Sequence, residues 1–165
     1  MVGLRHGHMG SIGTEHPGYI QTFKGLDDVE VVAYFEDTET ERLAPVATED
    51  PGAKTYTSLD DLIANENFDV AMVGLPANEV PAAGIKLAEA GKHFYMEKQF
   101  ARRSRDLAEL VRAVRRHRVK VMFGYRLLSE KQYIYVYNSG APPHLMYTTH
   151  TSFHFLNHSK CLSRI

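Results

Sequence analysis

The chain has 165 residues and a net charge of −1, with 44% hydrophobic and 24% charged residues, a composition typical of a globular protein. The length suggests one full domain, or one domain and a piece of a second, and the balanced charge argues against binding to nucleic acid or a membrane surface through bulk charge. Cys161 is the only cysteine, which excludes an intramolecular disulfide and fits the cytoplasmic location that we expect. The sequence holds no apolar run of transmembrane length, and its first residues do not resemble a signal peptide.

Short apolar runs alternate with segments of helical periodicity over residues 1–124. The predicted strands, in chain order, are Val2–Arg5, Glu30–Phe35, Lys54–Tyr56, Asp69–Gly74, His93–Met96 and Val119–Phe123. Such alternation predicts right-handed βαβ units and a parallel sheet that is covered on both faces. We therefore expect an α/β fold over residues 1–124, a doubly wound, six-stranded parallel sheet of the Rossmann type.

Five helical segments are predicted between these strands. They are Ser11–Lys24, which Pro17-Gly18 should break or kink; Thr38–Thr48, with Pro45 near its end; a short helix with Ser58 as N-cap and Asp61 at the capping-box position; one with a buried face of Val80, Ala83, Gly84, Leu87 and Ala88, ended by Gly91; and one with Leu107, Leu110, Val111 and Val114 at helical spacing. Residues 131–165 differ, since they hold four histidines and no Asp or Glu. We interpret residues 125–165 as the beginning of an incomplete second domain, because they are too few for a core of their own.

A glycine-rich turn follows the first predicted strand. Gly7 and Gly10 give half of the dinucleotide-binding pattern, in which glycines allow a tight turn and close approach of the backbone to a pyrophosphate. The N–H groups at the start of the next helix would then bind the phosphates. Arg5 stands at the position of the first glycine, so the match is partial, and an ordinary glycine-rich turn is the alternative.

Acidic residues come directly after the second predicted strand, at Glu36 and Asp37. A carboxylate there can accept hydrogen bonds from the adenosine ribose hydroxyls, and it would repel a 2′-phosphate. Glu36 is the residue expected to have this role, although it lies 26 residues after Gly10, farther than the usual separation of about 20. A solvated acidic turn is the alternative.

Two further loops are expected at the same edge of the sheet. The loop Gly74-Leu75-Pro76-Ala77-Asn78 follows the fourth predicted strand. A cofactor would pass over Leu75 and Pro76, and Asn78, which can cap the next helix, is also expected to contact it. Tyr125 and Arg126 follow the last strand and could offer a phenol and a guanidinium to a substrate. A plain strand-to-helix turn and a domain-linking turn are the alternatives.

Glu97 and Lys98 end the fifth predicted strand, and a helical pattern follows almost at once. In an open α/β sheet, ligands bind at the carboxyl ends of the strands. A lysine in that place can direct a cation at an oxygen of a ligand, so Lys98 is the predicted catalytic and substrate-binding residue. An exposed charged pair after a strand is the alternative.

These loops, in this order, resemble those of the Gfo/Idh/MocA family of NAD(P)-dependent oxidoreductases. The resemblance covers residues 1–125, and its most specific part is Ala90-Gly91-Lys92-His93 followed by Glu97-Lys98, which resembles the family's "AGKH…EKP" signature. It implies an amino-terminal Rossmann domain followed by an α+β domain, of which this chain would hold only the start. The family chemistry is hydride transfer between a sugar or polyol hydroxyl and nicotinamide.

The resemblance also implies roles for individual residues. Lys98 would lie near the nicotinamide and the reacting hydroxyl, with Glu97 beside the cofactor; Gly7, His8, Met9 and Gly10 would contact the pyrophosphate, and Glu36 would bind the ribose, which favours NAD over NADP. Homo-oligomers are expected for full-length relatives, and the oligomeric state of this chain stays open.

The sequence departs from the family pattern at several positions. Gln99 replaces the usual proline, Arg5 replaces the first glycine, and Val80 stands where many members have histidine. The Asp-x-x-x-His motif of the second domain, whose histidine is the acid/base, has no match. A non-catalytic NAD-binding module, or an inactive fragment of a longer dehydrogenase, is therefore the competing hypothesis.

Two segments, one with spaced histidines and one rich in arginine, are predicted to bind neither a metal ion nor nucleic acid. His150, His154 and His158 are spaced four apart, but the segment around them reads as strand rather than helix and no acid or cysteine cluster accompanies them, so no metal site is expected. The arginines of segment 102–118 alternate with Asp106 and Glu109 and lack aromatic neighbours, which is typical of a solvated helix face rather than a nucleic-acid surface.

Overall fold

The computed structural model of the chain describes residues 1–6, 9 and 18–124, and these residues have an α/β fold. The strands are β1 (Ala33–Phe35), β2 (Lys54–Tyr56), β3 (Val70–Val73), β4 (His93–Glu97) and β5 (Val121–Gly124). The α-helices are α1 (Tyr19–Lys24), α2 (Leu43–Glu49), α3 (Leu59–Asn65), α4 (Val80–Glu89) and α5 (Ser104–His117). All strand pairs are parallel, β1 with β2 and β3–β4–β5 in that order, which confirms the predicted parallel arrangement.

Five strands, rather than the predicted six, form in the described part of the chain. The segment predicted as the first strand, Val2–Arg5, makes only isolated parallel bridges, from Val2 to Phe35 of β1 and to Val73 of β3. Gly3 leaves the extended conformation, with a φ of 83°, and the position suits glycine because a Cβ there would lie 2.5 Å from Leu75 Cδ2. The short segment nevertheless lies between β1 and β3, since the N–H of Gly3 donates to the carbonyl of Phe35 at 2.9 Å and the N–H of Val2 donates to that of Met72 at 2.7 Å.

Several helix boundaries differ from the prediction, although the predicted capping residues Ser58 and Gly91 lie at helix ends as expected. The predicted helix Thr38–Thr48 divides into a 3₁₀ turn, Thr40–Arg42, and α2. Pro45 is the third residue of α2 rather than near its end, since proline's missing N–H has no partner to lose in the first turn. Ser58 caps α3 through the N–H of Asp61, and Gly91 follows α4 with a φ of 71°, both as predicted.

The core lies on both faces of the strands, because successive side chains of a strand point to opposite faces. On one face, α4 and α5 cover β3, β4 and β5; Gly84 permits their close approach, since a Cβ there would lie 2.7 Å from Leu110 Cδ1. On the other face, Met9 and Ile20 pack with Tyr34, Leu43 and Met72. The two faces together hold the strand ends in fixed positions.

Some predictions fall on residues that the structure does not describe. They are the second domain over 125–165 with Tyr125, Arg126 and the three histidines of the tail, residues 11–17 of the first predicted helix, and Gly7, His8 and Gly10. Across the described residues, no helix is both long and apolar enough to cross a membrane.

Candidate functional site

The carboxyl ends of the parallel strands bring four charged loops to one edge of the fold. Glu36 and Asp37 follow β1, Arg5 and His6 follow the segment that bridges β1 and β3, Glu79 precedes α4, and Lys98 follows β4. In open parallel α/β sheets the ligand crevice lies at this edge. The residues predicted from sequence at strand ends are thus on the expected side of the fold.

Glu36 is buried at the end of β1, with 0% of its surface exposed. Its Oε2 accepts the N–H of Leu4 at 2.9 Å, and its Oε1 accepts those of Thr38 at 3.1 Å and Glu39 at 3.3 Å. Arg5 Nε lies 2.7 Å from the same Oε1. The carboxylate therefore joins the end of the bridging segment to the loop after β1, and its role in ribose binding stays a prediction.

Arg5 connects the loop after β1 with the start of α4. Its guanidinium donates to Asp37 Oδ1 at 3.0 Å and to both carboxylate oxygens of Glu79, at 3.2 and 2.5 Å. Burial of the guanidinium lowers the pKa of Arg5, but the hydrogen bond to Glu79 and the charges of Glu36, Glu79 and Asp37 outweigh burial and leave the pKa above its ordinary value. With one guanidinium facing three carboxylates, the net charge of this cluster is negative.

The loop after β3 is partly a core element. Leu75 is buried against Gly3, while Pro76 is half-buried and Asn78 is exposed. The prediction that Asn78 caps α4 is wrong, because Glu79 occupies the N-cap position and makes no side-chain cap. The Glu79 carboxylate instead binds Arg5, which ties the start of the helix to a distant loop.

A second buried carboxylate, Glu97, ends β4 with 2% of its surface exposed. The hydroxyl of Tyr19 donates to Glu97 Oε1 and also contacts the Tyr95 hydroxyl, at 2.8 Å. Burial, then the hydrogen bonds to Glu97 and Tyr95, raise the pKa of Tyr19. Glu97 Oε2 accepts the N–H of Lys98 at 3.1 Å and lies 4.0 Å from His6 Nε2, so the acid fixes the backbone at the start of the Lys98 loop.

Lys98 is exposed, and its backbone is held on both sides of the residue. Its N–H donates to Glu97, and its carbonyl oxygen lies 3.0 Å from His6 Nε2. Within the described part of the chain, its ammonium group has no hydrogen bond or ion pair. An exposed cation on an anchored backbone can contact an oxygen of a ligand without first breaking an internal ion pair.

Met9 is the one described residue of the glycine loop that the resemblance assigns to the pyrophosphate. Its side chain is fully buried, next to Gly74, where a Cβ would lie 2.3 Å from Met9 Sδ. Its N–H donates to the carbonyl of His6 at 2.9 Å. The side chain thus anchors the loop in the core, and a pyrophosphate contact stays a prediction.

Sequence reasoning missed the residues that join loops distant along the chain. Arg5 was noted only as a departure from the glycine pattern, and no site role was predicted for His6, Tyr19, Tyr95 or Glu79. The substitution of the first glycine by arginine was the available signal for Arg5, since a charged residue there needs a partner. No group of three or more His, Cys, Asp or Glu side chains suited to a metal ion occurs among the described residues.

Comparison with known proteins supplies the family. Residues 4–125 match the sequence profile of the Gfo/Idh/MocA oxidoreductase family, which is described as an NAD-binding Rossmann fold. The chain belongs to this family. The resemblance drawn from the glycine loop and the Glu97-Lys98 signature is thereby confirmed.

Two relatives and two solved structures show how far the similarity extends. An uncharacterized oxidoreductase of Streptococcus pneumoniae is 31% identical over 116 residues, which are 70% of this chain and 30% of that protein. An uncharacterized oxidoreductase of Schizosaccharomyces pombe is 34% identical over 71 residues, 43% of this chain and 19% of that protein. The WlbA dehydrogenase of Bordetella pertussis, in complex with NADH and UDP-GlcNAcA, matches with a TM-score of 0.65 and 26% identity, over 68% of this chain and 32% of that one.

The myo-inositol 2-dehydrogenase of Lactobacillus plantarum has the same fold, with a TM-score of 0.65 and 20% identity over 73% of this chain and 38% of its own. The chain therefore spans less than two fifths of the length of each of these proteins. The similarity extends to the nucleotide-binding fold of these proteins.

Proposed function

We propose that this chain is the dinucleotide-binding part of an oxidoreductase that transfers hydride between a sugar or polyol hydroxyl and NAD. The observation that carries the proposal is the Lys98 ammonium, exposed on a backbone that Glu97 and His6 hold at the ligand edge of the fold. Membership of an NAD-binding family supports the cofactor, and the sugar nucleotide bound to the WlbA dehydrogenase supports the substrate class.

The described residues fit a dinucleotide at this edge. An acidic pair after β1 suits an adenosine ribose, and the negative balance of Arg5 with three carboxylates disfavours a 2′-phosphate, which supports NAD over NADP. Leu75 and Pro76 would form the floor beneath the cofactor, and the loop from Gly7 to Gly10 would hold the pyrophosphate. The nicotinamide, when bound, supplies the hydride acceptor.

Lys98 would orient the substrate oxygen and stabilise the negative charge that develops on it as the C–H bond breaks. Glu97 would keep this lysine in place through its backbone N–H. Tyr125 and Arg126 are proposed to contact the substrate, and the proton acceptor is not among the residues assigned here. A cytoplasmic protein without nucleic-acid or membrane partners is part of the same proposal.

Titration of the chain with NADH, followed by nicotinamide fluorescence, tests the cofactor. A panel of sugars and inositols with NAD then tests turnover. Binding with turnover supports the oxidoreductase, binding without turnover supports the non-catalytic module, and absence of NADH binding contradicts both.

The role of Lys98 has its own test in a longer relative that carries the same loop. Lys98→Ala should lower turnover by about 100-fold while NADH affinity changes by less than about threefold, because general acid–base and electrostatic contacts act on the transition state. Lys120→Ala is the matched control, since Lys120 is also exposed but precedes β5, at the opposite edge. An unchanged turnover rate in Lys98→Ala would contradict a catalytic role and show that Lys98 is an ordinary surface lysine.

A further inference from the structure

A cavity of about 520 Å³ lies at the amino ends of the strands, on the side of the fold opposite to the ligand edge. Its walls are β1 with the residues before it and the first residues of β3. Met1 and Val2 lie between the same two strands and line one end of the cavity. The cavity is therefore the amino-terminal half of a gap between β1 and β3 that the bridging segment fills only in its carboxyl-terminal half.

The β1 wall directs backbone groups into the cavity. Val32 faces away from it, since its carbonyl accepts the N–H of Lys54 at 3.0 Å, where β2 begins. Successive residues of a strand bond to opposite neighbours, so Val31 and Ala33 face the cavity. The Ala33 carbonyl accepts the Met1 amino group at 2.7 Å. The Ala33 N–H and the Val31 carbonyl have no hydrogen bond within the described part of the chain.

The β3 wall has the matching arrangement. Asp69 faces β4, since its carbonyl accepts the N–H of His93 at 3.2 Å, so Val70 and Met72 face the cavity. The Met72 carbonyl accepts the N–H of Val2 at 2.7 Å, whereas the Met72 N–H and the Val70 carbonyl have no partner among residues 1–6, 9 and 18–124. Because Val2 bridges both walls, the gap is one strand wide.

Apolar side chains line the cavity on both faces of the sheet. Leu62 of α3 lies on one face, and Phe23 and Tyr95 lie on the other. Val70 is 58% exposed and Val29 is 38% exposed, although both stand where a central sheet would cover them. A strand covered on both faces has a continuous apolar sequence rather than an alternating one, so the side chains of an occupant should all be apolar.

The mouth of the cavity is acidic. Asp28, Glu30 and Asp69 line it, and all three are exposed. Lys92 lies near one wall, but its Nζ donates to the Phe68 carbonyl at 2.8 Å and it is not a lining residue. A strand that runs parallel to β1 and β3 would have its amino end at this mouth, where a basic residue complements the three carboxylates.

We propose that this cavity binds an extended peptide of about four apolar residues, preceded by lysine or arginine, as a strand parallel to β1 and β3. The length follows from residues 29–32, which form the β1 wall at a rise of about 3.3 Å per residue. Main-chain hydrogen bonds to both walls supply the affinity, as in other cases of strand addition. The inference goes beyond the proposed cofactor and does not depend on it.

The carboxyl end of the peptide would meet the Met1 amino group. Burial lowers the pKa of that group to about 5, so it is neutral at pH 7 and offers no charge to a terminal carboxylate. An amidated peptide is therefore the suitable probe. We choose fluorescein-labelled Gly-Gly-Lys-Lys-Val-Ile-Val-Val amide, with the label at the amino end, outside the mouth.

Fluorescence anisotropy of this peptide, titrated with the full chain at pH 7, tests the site. Binding should saturate below about 1 mM. The peptide Gly-Gly-Lys-Lys-Val-Pro-Val-Val amide should bind at least about tenfold more weakly, because proline removes an N–H that the wall needs. NADH should not displace the probe, since the ligand edge lies at the other ends of the strands. Absence of binding, or equal binding of the two peptides, overturns the proposal.

Charge reversal at the mouth supplies the second arm. Glu30→Lys and Asp69→Lys should each weaken binding about threefold, and about tenfold together, because both side chains are exposed and close to the basic end of the peptide. Glu41→Lys is the matched control, since Glu41 is exposed in the turn after β1, at the opposite edge, and its affinity should stay at the wild-type value. Equal affinities in all three variants contradict the assigned direction of the strand.

Sedimentation velocity identifies the remaining occupant, a second copy of the chain. If the chain is a dimer and the unlabelled peptide dissociates it, the gap is an interface between copies and the proposal of a peptide site is wrong. A sedimentation coefficient that the peptide leaves unchanged, together with saturable binding, supports the peptide site.

Discussion

The ends of β1 and β4 have the same arrangement and differ in what supports it. A buried glutamate stands at each strand end, Glu36 directly after β1 and Glu97 as the last residue of β4. Each glutamate is followed by an exposed charged residue, Asp37 or Lys98. Glu36 is held by backbone N–H groups and a guanidinium, whereas Glu97 accepts from the Tyr19 hydroxyl and from the backbone N–H of Lys98. The buried acid in each case fixes the loop, and the next residue is directed to the ligand edge.

This difference in partners has an energetic consequence. The buried charge of Glu36 is compensated by the charge of Arg5, so removal of either residue leaves the other without its counter-charge and should destabilise the fold strongly. Glu97 accepts a hydrogen bond from the neutral hydroxyl of Tyr19, which lacks the second formal charge of the Arg5–Glu36 pair. We therefore expect the end of β1 to be more sensitive to substitution than the end of β4, and three predictions test this contrast.

Glu36→Gln should give the largest effect, a loss of about 3 kcal/mol in the free energy of unfolding, because it leaves the buried Arg5 guanidinium short of one counter-charge. The amide nitrogen also replaces one acceptor oxygen by a donor, so at least one of the three backbone N–H groups loses its acceptor. Urea denaturation followed by circular dichroism measures the change. Asp37→Asn is the matched control, and because Asp37 is half exposed its loss should be below about 1 kcal/mol. Equal losses in the two variants would contradict the structural role assigned to Glu36.

The features that could be predicted from the sequence are those set by local pattern. The buried face of α4 follows from helical spacing, the cap at Ser58 from its side chain, and the positive φ of Gly91 from its place after the helix. The ligand edge could be predicted in the same way, because charged residues such as Glu36 and Lys98 follow the predicted strands directly in the sequence. Each of these depends on neighbours a few residues apart.

The features that could not be predicted join distant residues. Arg5 pairs with Glu79 across 74 positions, and Tyr19 reaches Glu97 across 78. Alternation along β1 also fails to distinguish Glu36 from Asp37, because all three residues of that strand are buried. When both faces of a strand are covered, buried and exposed residues do not alternate along it. The sequence pattern therefore does not show at which residue the buried stretch ends.

Gly124→Ala tests the other side of the contrast, the packing around Glu97. A Cβ on Gly124 would lie 2.6 Å from the Tyr95 hydroxyl oxygen and 2.8 Å from Glu97 Oε1, so these side chains must move. We expect a loss of about 2 kcal/mol in the free energy of unfolding. Gly52→Ala is the control, since a Cβ there meets nothing within 4 Å, and its effect should be within about 0.5 kcal/mol. If the two alanine variants are equally stable, the network around Glu97 is looser than its distances indicate.

Tyr19→Phe should have the smallest effect, about 1.5 kcal/mol near pH 8, since it removes a single neutral donor from the Glu97 carboxylate and keeps the aromatic ring. Its distinguishing property is pH dependence. Burial and then the hydrogen bond to Glu97 raise the pKa of Tyr19 above the unfolded value near 10, so the folded state holds this proton more tightly. The contribution is therefore complete below about pH 10 and is lost as the pH rises towards the folded-state pKa.

The stability difference between wild type and Tyr19→Phe should accordingly shrink when denaturation is repeated above pH 10. The difference for Glu36→Gln should stay constant over the same range, because Arg5 keeps its proton: its pKa is held above the ordinary value by Glu79, Glu36 and Asp37 despite burial. A Tyr19→Phe difference that does not change with pH would show that the Tyr19 hydroxyl does not act as a proton donor to Glu97. Parallel pH profiles for the two variants would remove the contrast between a carboxylate bound by a permanent charge and one bound by a titratable hydroxyl.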